Sequence, residues 1–249
     1  MESAAIHAFL RASVRRGREC EQIGPFLASF SPHDANPFFN YAIPDDGATP
    51  SDGEVAALID AYERRSRKPR LEYVSDLAPA VEPRLLSAGF GVEHRVALMG
   101  FDPATDRAPG SAEVELIAPV SAEDLLALRV VQHEAYDDPS EPDEHEVVSL
   151  RRLLASGGGA VLARMRDDHI AAGAGEYSPI IDGVTELTSI GVRPAYRRRG
   201  IAAAVVDRLA DTAREAGAVN LFLMANDAEE RLYGRVGFVT EGRVLHISR

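Results

Sequence analysis

The chain has 249 residues, of which 45% are hydrophobic and 27% are charged, a composition typical of a globular protein with one large or two ordinary domains. The formal net charge of -12 argues against a general nucleic-acid binder, because phosphate backbones select broad basic surfaces. The single cysteine, Cys20, excludes an internal disulfide framework and a cysteine-built metal site.

The opening residues, MESAAIHAFLRASVRRGREC, lack a basic start followed by an apolar core, so no secretory signal is predicted there. No apolar run is long enough to span a bilayer, and we expect a cytoplasmic protein without a membrane partner. Lys68 is the only lysine, and alanine is abundant, which indicates a GC-rich bacterial genome. Because of this bias, the choice of arginine at any one position says little by itself.

The first half predicts a strand in PFFNYAIP, a polar junction in PDDGATPSDGE and a helix in EVAALIDAYERRSR. Residues 70–99 then predict a strand, a polar turn, a helix, the pair Gly89-Phe90 and another strand. The polar segment 100–117, which contains Pro103 and Pro109, predicts a linker to the second half.

The second half begins with a predicted strand in VELIAP and a helix in SAEDLLALRVVQHEAY. Ser121 is the expected N-cap of that helix, and Leu125, Leu128 and Val131 share one face. A second helix is predicted in EHEVVSLRRLLAS. The segments GAVLARMRDD and HIAAGAGEYSPI predict a hairpin with its turn near Asp168, and GAGEY is no dinucleotide loop because G-x-G-x-x-G is absent.

A strand is predicted next in GVTELTSIGV, which is rich in β-branched residues. The helix predicted in GIAAAVVDRLADTAREAG buries Val205, Val206, Leu209 and Ala213 and ends at Gly217. A buried strand in VNLFLMA, a short helix in DAEERLYGRVG and a strand in VLHIS complete the chain.

The order of elements in residues 70–99 recurs in residues 220–248, where a second Gly-Phe pair stands at the same place. This recurrence predicts an internal duplication. The junctions differ, however, because the second half has RPAYRRRGIA where the first has PDDGATPSDGE. The carboxylates of Asp45, Asp46 and Asp52 would repel an anion.

The stretch 185–206 predicts a strand, a tight basic turn and a helix. The first N–H groups of a helix lack partners and its dipole is positive there, so such an end binds phosphate. Gly200 permits close approach to the backbone, Ala202 keeps the next contact small, and three arginines add charge. These features predict a pyrophosphate site, with a merely solvated basic turn as the alternative.

SIGVRPAYRRRGIAAAVV resembles the signature of the GNAT superfamily of acyl-CoA N-acyltransferases, Arg/Gln-x-x-Gly-x-Gly/Ala after a strand that ends in Val-x-Pro. Arg197, Gly200 and Ala202 fill the pattern, although many members have glycine at the third position. Asn226, Tyr233 and then Gly-Phe fill a second family feature. The resemblance is good over residues 112–249 and weak in the first half.

The fold that this resemblance implies is α+β, with two GNAT-like acyl-CoA N-acyltransferase domains in tandem. Each would be a mixed, mostly antiparallel sheet flanked by helices. Residues 1–105 would form a degenerate domain without the phosphate loop, and residues 112–249 the acetyl-CoA-binding catalytic domain.

The resemblance also implies acetyl-CoA or a similar acyl-CoA as the acyl donor. The pyrophosphate would lie on the amides of residues 197–203, and the pantetheine arm would pair with strand 190–192 and touch Asn226 further along. The implied cofactor-binding residues are Ile190, Gly191, Val192, Arg197, Arg198, Arg199, Gly200, Ile201, Ala202, Ala203, Asn226 and Tyr233. No metal is expected, since the seven histidines lack metal-ligand spacing.

Direct acyl transfer to an amine needs a base for the amine proton and an acid for the leaving thiolate. Tyr233 resembles the thiolate-protonating tyrosine of the family. Glu186, in the apolar segment TELT, is the candidate base, acting directly or through a water, and Glu176 is the reserve. The resemblance also implies a backbone amide near Val192 that would hold the oxyanion.

The further candidates His133, Glu134 and Tyr136 are expected to line the acceptor pocket, because that region faces the acceptor in the family.

The expected function is therefore N-acetyl transfer to a small-molecule or peptide amine by a monomer or homodimer, with no nucleic-acid partner. The net charge favours a cationic acceptor. The alternative is a non-catalytic acyl-CoA sensor; a kinase-like module is disfavoured because its Gly-Lys-Ser/Thr loop is missing. The first half is expected to bind no acyl-CoA and to help enclose the acceptor.

Overall fold

The computed structural model describes residues 3–249. The helices are α1 Ser3–Val14, α2 Asp52–Glu63, α3 Val81–Ser87, α4 Ala122–Ala135, α5 Glu144–Ala155, α6 Ile201–Glu215 and α7 Asp227–Gly234. The strands are β1 Glu19–Ile23, β2 Phe26–Phe30, β3 Ala42–Pro44, β4 Arg70–Val74, β5 Gly91–Phe101, β6 Val114–Ile117, β7 Gly159–Met165, β8 Ala171–Tyr177, β9 Val184–Val192, β10 Asn220–Ala225 and β11 Phe238–Ser248.

The chain divides into two compact units. Residues up to Met99 form the first unit together with Met224–Asp227 and Thr240–Arg249. The second unit consists of Gly100–Leu223 and Ala228–Val239. Most of the C-terminal strand β11 therefore folds with the first unit, a result that its position in the sequence does not indicate.

The first unit contains strands in the order β1-β2-β3-β4-β11-β5. The pair β3/β4 is parallel, whereas β1/β2, β2/β3 and β4/β11 are antiparallel. The predicted strand in PFFNYAIP is only partly right. Asn36 accepts a hydrogen bond from the Phe38 N–H at 3.0 Å, and Pro37–Phe39 form a 3-10 turn, which leaves Ala42–Pro44 as the strand.

The second unit contains strands in the order β10-β9-β8-β7-β6, all antiparallel neighbours except the parallel pair β9/β10. Each helix and strand predicted for this half is present, and β11 is longer than VLHIS. Helix α4 begins as expected because Ser121 and Asp124 form a reciprocal capping box. Asp143 and Glu146 do the same for α5.

Helices cover both faces of the second sheet. Leu125, Leu128 and Val131 of α4 pack with Leu162 and Ala174 on one face. Helix α6 packs on the other face, against β7, β8 and β9. The glycines of GAGEY serve this packing.

A Cβ atom on Gly173 would lie 2.6 Å from the Ile201 side chain, and one on Gly175 would lie 2.7 Å from Leu209. Only glycine therefore lets α6 lie this close to β8. The end of the helix that follows Gly200 is positioned by this contact.

Residues 102–113, here called the strap, connect β5 to β6 within the segment predicted as a linker, and they pack against α6. Gly110 lies against α6, where a Cβ would be 2.6 Å from the Cα of Ala204. The N–H of Ser111 donates to the carbonyl of Gly200 at 3.2 Å. Such close backbone contacts hold the strap against the helix, although its proline and glycine content is typical of a linker.

Candidate active site

The first turn of α6 has no side-chain cap. Gly200 precedes the helix with a φ of 75°, a left-handed conformation that glycine adopts easily. Its carbonyl accepts from the N–H of Ala204 at 3.1 Å. The N–H groups of Ile201, Ala202 and Ala203 precede this bond and have no intrahelical acceptor. They form a donor set for an anion, which the helix dipole also favours.

A cavity of about 240 Å³ lies at this end of α6. Its walls include Val192 at the end of β9, Gly200 and Ala203 of the turn and helix, and Leu232 of α7. The strand, the open helix end and α7 therefore border one cavity.

The three consecutive arginines differ in what they contact. Arg197 donates from Nε to the carbonyl of Val192 at 3.2 Å. Arg199 forms an ion pair with Glu113 at 2.7 Å. Arg198 is exposed in a left-handed conformation, with a φ of 64°, and no described residue forms an ion pair with it. Among the three arginines, Arg198 is therefore the one whose positive charge is available to a ligand.

Part of β9 is unpaired on the side away from β8. The pairing of β9 with β10 covers Val184–Glu186, before the C-terminal half of β9. The N–H of Arg193, the residue after β9, donates to the carbonyl of Ala172 on β8 at 2.9 Å. Because polar groups alternate along an antiparallel strand, those of Ile190 and Val192 point to the opposite side.

Side chains occupy the two carbonyls on this edge. The hydroxyl of Tyr136 donates to the carbonyl of Ile190 at 3.1 Å, and Arg197 donates to that of Val192. The pairings of the described strands use neither the N–H of Ile190 nor that of Val192. The edge thus offers two N–H donors beside the cavity.

Tyr233 lies on α7, next to Leu232. It is 6% exposed, and its ring packs edge-on against Phe238 with centroids 6.3 Å apart. Burial, together with the negative charges of Glu229 and ionised Tyr136, raises the pKa of Tyr233 above the ordinary value of ~10. The hydroxyl therefore remains protonated at neutral pH, as an acid must.

Tyr136 follows α4 and is close enough to influence the ionisation of Tyr233. The residue is 57% exposed, but its hydroxyl lies against the protein at the carbonyl of Ile190. This desolvation, with the charges of Glu229 and Glu176, raises the pKa of Tyr136 to about 12. Two protonated phenols thus belong to this region. Asn226 lies exposed between β10 and α7.

The two carboxylates considered as the base differ in their surroundings. Glu186 is half-buried on β9, opposite Phe222 of β10. Glu176 on β8 is 3% exposed and accepts from Arg129 at 2.8 Å and from Gln132 at 2.7 Å. Both donors bind the same oxygen, Oε1, so this buried carboxylate is already engaged in a hydrogen-bond network with α4. We therefore retain Glu186 as the candidate base.

The buried network around Glu176 is not among the features predicted from the sequence. Gln132 also donates to the carbonyl of Ser189 at 3.0 Å, and Ser189 has a left-handed φ of 53°. The β8/β9 register shifts between Ala174 and Glu176, opposite this point. Polar Arg129 and Gln132 stand three residues apart on a helix whose neighbouring positions are apolar. This spacing is the feature of the sequence from which a buried polar contact could be predicted.

His133 and Glu134 are engaged in structural contacts. His133 bonds to Glu146 at 2.8 Å and to the carbonyl of Ser140 at 3.0 Å. Burial lowers the pKa of His133, but these two bonds and the negative charges of Glu146 and Asp138 together raise it above its usual value. Glu134 forms an ion pair with Arg193 at 2.5 Å. Both side chains stabilise the C-terminal region of α4.

In the first unit, α2 connects the parallel strands β3 and β4, as α6 connects β9 and β10, and its N-terminal end is closed. Helix α2 has Ser51 as N-cap, whose hydroxyl accepts from the N–H of Glu54 at 3.3 Å. The Glu54 carboxylate accepts from the N–H of Ser51 at 2.7 Å. A negative charge of the chain itself therefore covers the helix end that is open in α6.

The aspartates of this junction form contacts with other residues of the first unit. Asp45 forms an ion pair with Arg11 at 2.5 Å, and Asp46 contacts the buried ring of His7. Asp52 pairs with an exposed arginine of α3 at 2.9 Å. These carboxylates add negative charge to the first-unit junction and stabilise it without an external ligand.

Across residues 3–249, no group of three or more His, Cys, Asp or Glu side chains is arranged to hold a metal ion. Among the helices described above, none combines the length and apolar character needed to cross a membrane.

Residues 124–238 match the model of the acetyltransferase (GNAT) family. The matched range contains the open end of α6, Glu186 and Tyr233. No curated protein matches the sequence at a significant level.

Solved structures share the fold over most of the chain. A GCN5-related N-acetyltransferase from Kribbella flavida has a TM-score of 0.82 at 24% identity and covers 99% of this chain and 95% of its own. A GCN5-related N-acetyltransferase from Sphaerobacter thermophilus has a TM-score of 0.68 at 15% identity and covers 90% and 76%. A tandem GNAT protein from the clavulanic acid biosynthesis pathway has a TM-score of 0.61 at 14% identity and covers 90% and 78%. At these identities the likeness is one of fold.

Proposed function

Because residues 124–238 match the model of the acetyltransferase (GNAT) family, we propose that the protein transfers an acetyl group from acetyl-CoA to an amine by direct attack in a ternary complex. The observation that carries the proposal is the uncapped first turn of α6, which opens to a cavity that is also bordered by β9 and α7.

The N–H groups of Ile201, Ala202 and Ala203 bind the pyrophosphate of the donor. Gly200 permits the approach, and Arg198 adds the unpaired positive charge. Backbone donors hold a doubly charged group well because they are fixed before binding and need no reorganisation. The residues present fit the donor, since this helix end has no side chain of its own to satisfy it.

The free edge of β9 binds the pantetheine arm. The N–H of Ile190 donates to an amide carbonyl of the arm, in the manner of an added strand. Asn226, after β10, contacts the arm further along. The N–H of Val192 faces the thioester carbonyl and stabilises the negative charge that develops on its oxygen.

Glu186, directly or through a water, takes the proton that the attacking amine must lose. As the new N–C bond forms, the C–S bond breaks, and the hydroxyl of Tyr233 donates its proton to the leaving thiolate. Acetyl-CoA supplies the activated acyl group, and no protein nucleophile is needed. Cys20, on the outer strand β1 of the first unit, takes no part.

The acceptor is an amine of a small molecule or a peptide. The net charge of -12 draws cations towards the protein and so favours a cationic acceptor.

Release of free CoA thiol in the presence of a panel of alkyl amines, amino sugars and lysine peptides tests the proposal. A Cys20→Ser background removes the protein's own exposed thiol from the signal. We expect at least one amine to accelerate thiol release, and Gly200→Glu to abolish the acceleration. Protection of the fold by CoA without thiol release for any amine would favour a non-catalytic sensor instead.

A further inference from the structure

We propose that Arg107, in the strap, is a positioning residue that fixes α6 against α7 and so sets the distance between the donor-binding helix end and Tyr233. This inference rests on the proposed function for the role of Tyr233. It assigns an active-site task to a segment whose sequence is typical of a linker.

Arg107 contacts α6 through charge. Its guanidinium pairs closely with Asp207 and lies 3.5 Å from Asp211, four residues later on the same helical face. The strap continues along α6, where Gly110 packs on Ala204 without space for a Cβ. These contacts fix α6 from its first turn to its middle.

The same stretch also contacts the end of α7. The N–H of Ala108 donates to the carbonyl of Arg235 at 2.7 Å, and that of Asp102 donates to Gly237 at 2.8 Å. Both acceptors lie in the turn between α7 and β11. The strap is therefore bonded to the backbone on each side of the proposed site.

Aromatic rings extend this contact to Tyr233. The Arg107 guanidinium lies 5.7 Å from the ring centroid of Phe101, which is 5.3 Å from that of Phe238. Phe238 in turn packs edge-on against Tyr233. Arg107 thus forms ion pairs with α6 and is connected to Tyr233, the proposed acid, by the packed rings of two phenylalanines.

Because the ion pairs of Arg107 are partly exposed, their loss should affect the geometry of the site more than the stability of the fold. Its side chain is 31% exposed, and the carboxylates of Asp207 and Asp211 are 41% and 43% exposed. Ion pairs as exposed as these contribute little to stability. A loss of geometry at the site can be large all the same, because a displacement of about 1 Å can lower a rate by about 10²-fold.

The test compares Arg107→Gln with Arg84→Gln, which removes an exposed ion pair from the first unit, one more exposed than those of Arg107. We expect Arg107→Gln to lower kcat by about tenfold or more while the Kd for CoA changes by less than about threefold. The charge swap Arg107→Asp with Asp207→Arg should restore most of kcat, and Arg84→Gln should leave it unchanged. An unchanged kcat in Arg107→Gln, or a swap that restores nothing, overturns the proposal.

A second readout does not depend on turnover. The seven tyrosines are replaced with 3-fluorotyrosine, and the Tyr233 resonance is assigned by its loss in Tyr233→Phe. CoA should shift this resonance in the wild type and in the charge swap, and much less in Arg107→Gln. An equal shift in Arg107→Gln, or no shift in the wild type, overturns the proposal. Absence of any turnover with the expected shifts retained would defeat the proposed function and leave the positioning role standing.

Discussion

Arg197, Arg198 and Arg199 stand side by side, yet their guanidinium groups have different surroundings. Arg197 is bonded to the backbone of β9, and Arg199 is neutralised by Glu113. Arg198 keeps an open charge in a left-handed conformation that costs a non-glycine residue about 1 kcal/mol or more. Of the three guanidinium groups, that of Arg198 is the one engaged neither by a carboxylate nor by a carbonyl of the described residues.

We therefore expect Arg198→Gln to weaken CoA binding by about tenfold, the loss of one charge-assisted contact. Arg199→Gln should weaken it by less, because Glu113 already compensates that charge. Calorimetric Kd values for the two variants make the comparison. A larger effect at Arg199 would mean that CoA displaces Glu113.

Tyr233→Phe should lower turnover by ~10²–10⁴-fold, the range for loss of a general acid, with little change in the Kd for CoA. Tyr62→Phe is the matched control, because it removes another buried hydroxyl, one without a hydrogen-bond partner among the described residues. That variant should be fully active. Full activity of Tyr233→Phe would mean that another group protonates the thiolate or that none is needed.

The pH dependence of kcat has a defined sign. Burial raises the pKa of Tyr233, so the folded protein holds this proton beyond the pH at which a free phenol releases it, ~10. The profile of kcat should show no descending limb below pH 10. The stability that this proton contributes is complete below the unfolded pKa and is lost as the pH rises above it. A descending limb near pH 8 that disappears in Tyr233→Phe would contradict the assignment.

At the scale of elements, α2 and α6 each connect two parallel neighbouring strands but begin in different ways. Ser51 and Glu54 close α2, whereas Gly200 leaves α6 open. This contrast could be predicted in part, because N-cap residues and arginine–glycine turns are local in sequence. Which arginine stays open could not, because Glu113 and the carbonyl of Val192 come from other elements.

The same limit applies to the strap and to the buried network. The strap is rich in proline, glycine and charge, and only its contacts with α6 distinguish it from a linker. The network joins Arg129 and Gln132 of α4 to Glu176, more than forty positions later. Periodicity predicts that α4 packs on the sheet, but it does not show which polar groups meet there.

Arg129→Met should destabilise the protein by about 3–5 kcal/mol, because it leaves the carboxylate of Glu176 buried without its charged partner. Arg84→Met, in an exposed ion pair, is the control and should change stability little. Urea unfolding of both variants measures the difference. Equal stability of the two would mean that Gln132 alone suffices for Glu176.

At the scale of the whole molecule, the resemblance to the GNAT superfamily and the α+β tandem fold are confirmed. Both could be predicted, because the repeated order of elements and the arginine–glycine motif before α6 are local features of the sequence. The sequence does not predict that residues 240–249 fold with the first unit, because strand pairing over such distances depends on tertiary packing. The assignment of residues 1–105 as a degenerate copy remains a proposal.

Calorimetric titration of the full chain with acetyl-CoA tests the central claim, that one open helix end binds the donor and its counterpart does not. We expect one site per chain, removed by Gly200→Glu, which places a carboxylate among the pyrophosphate donors. Gly217→Glu is the control, since it imposes the same left-handed strain at the other end of α6, in open space, and should keep the site. Two sites per chain, or one site that survives Gly200→Glu, would contradict the account.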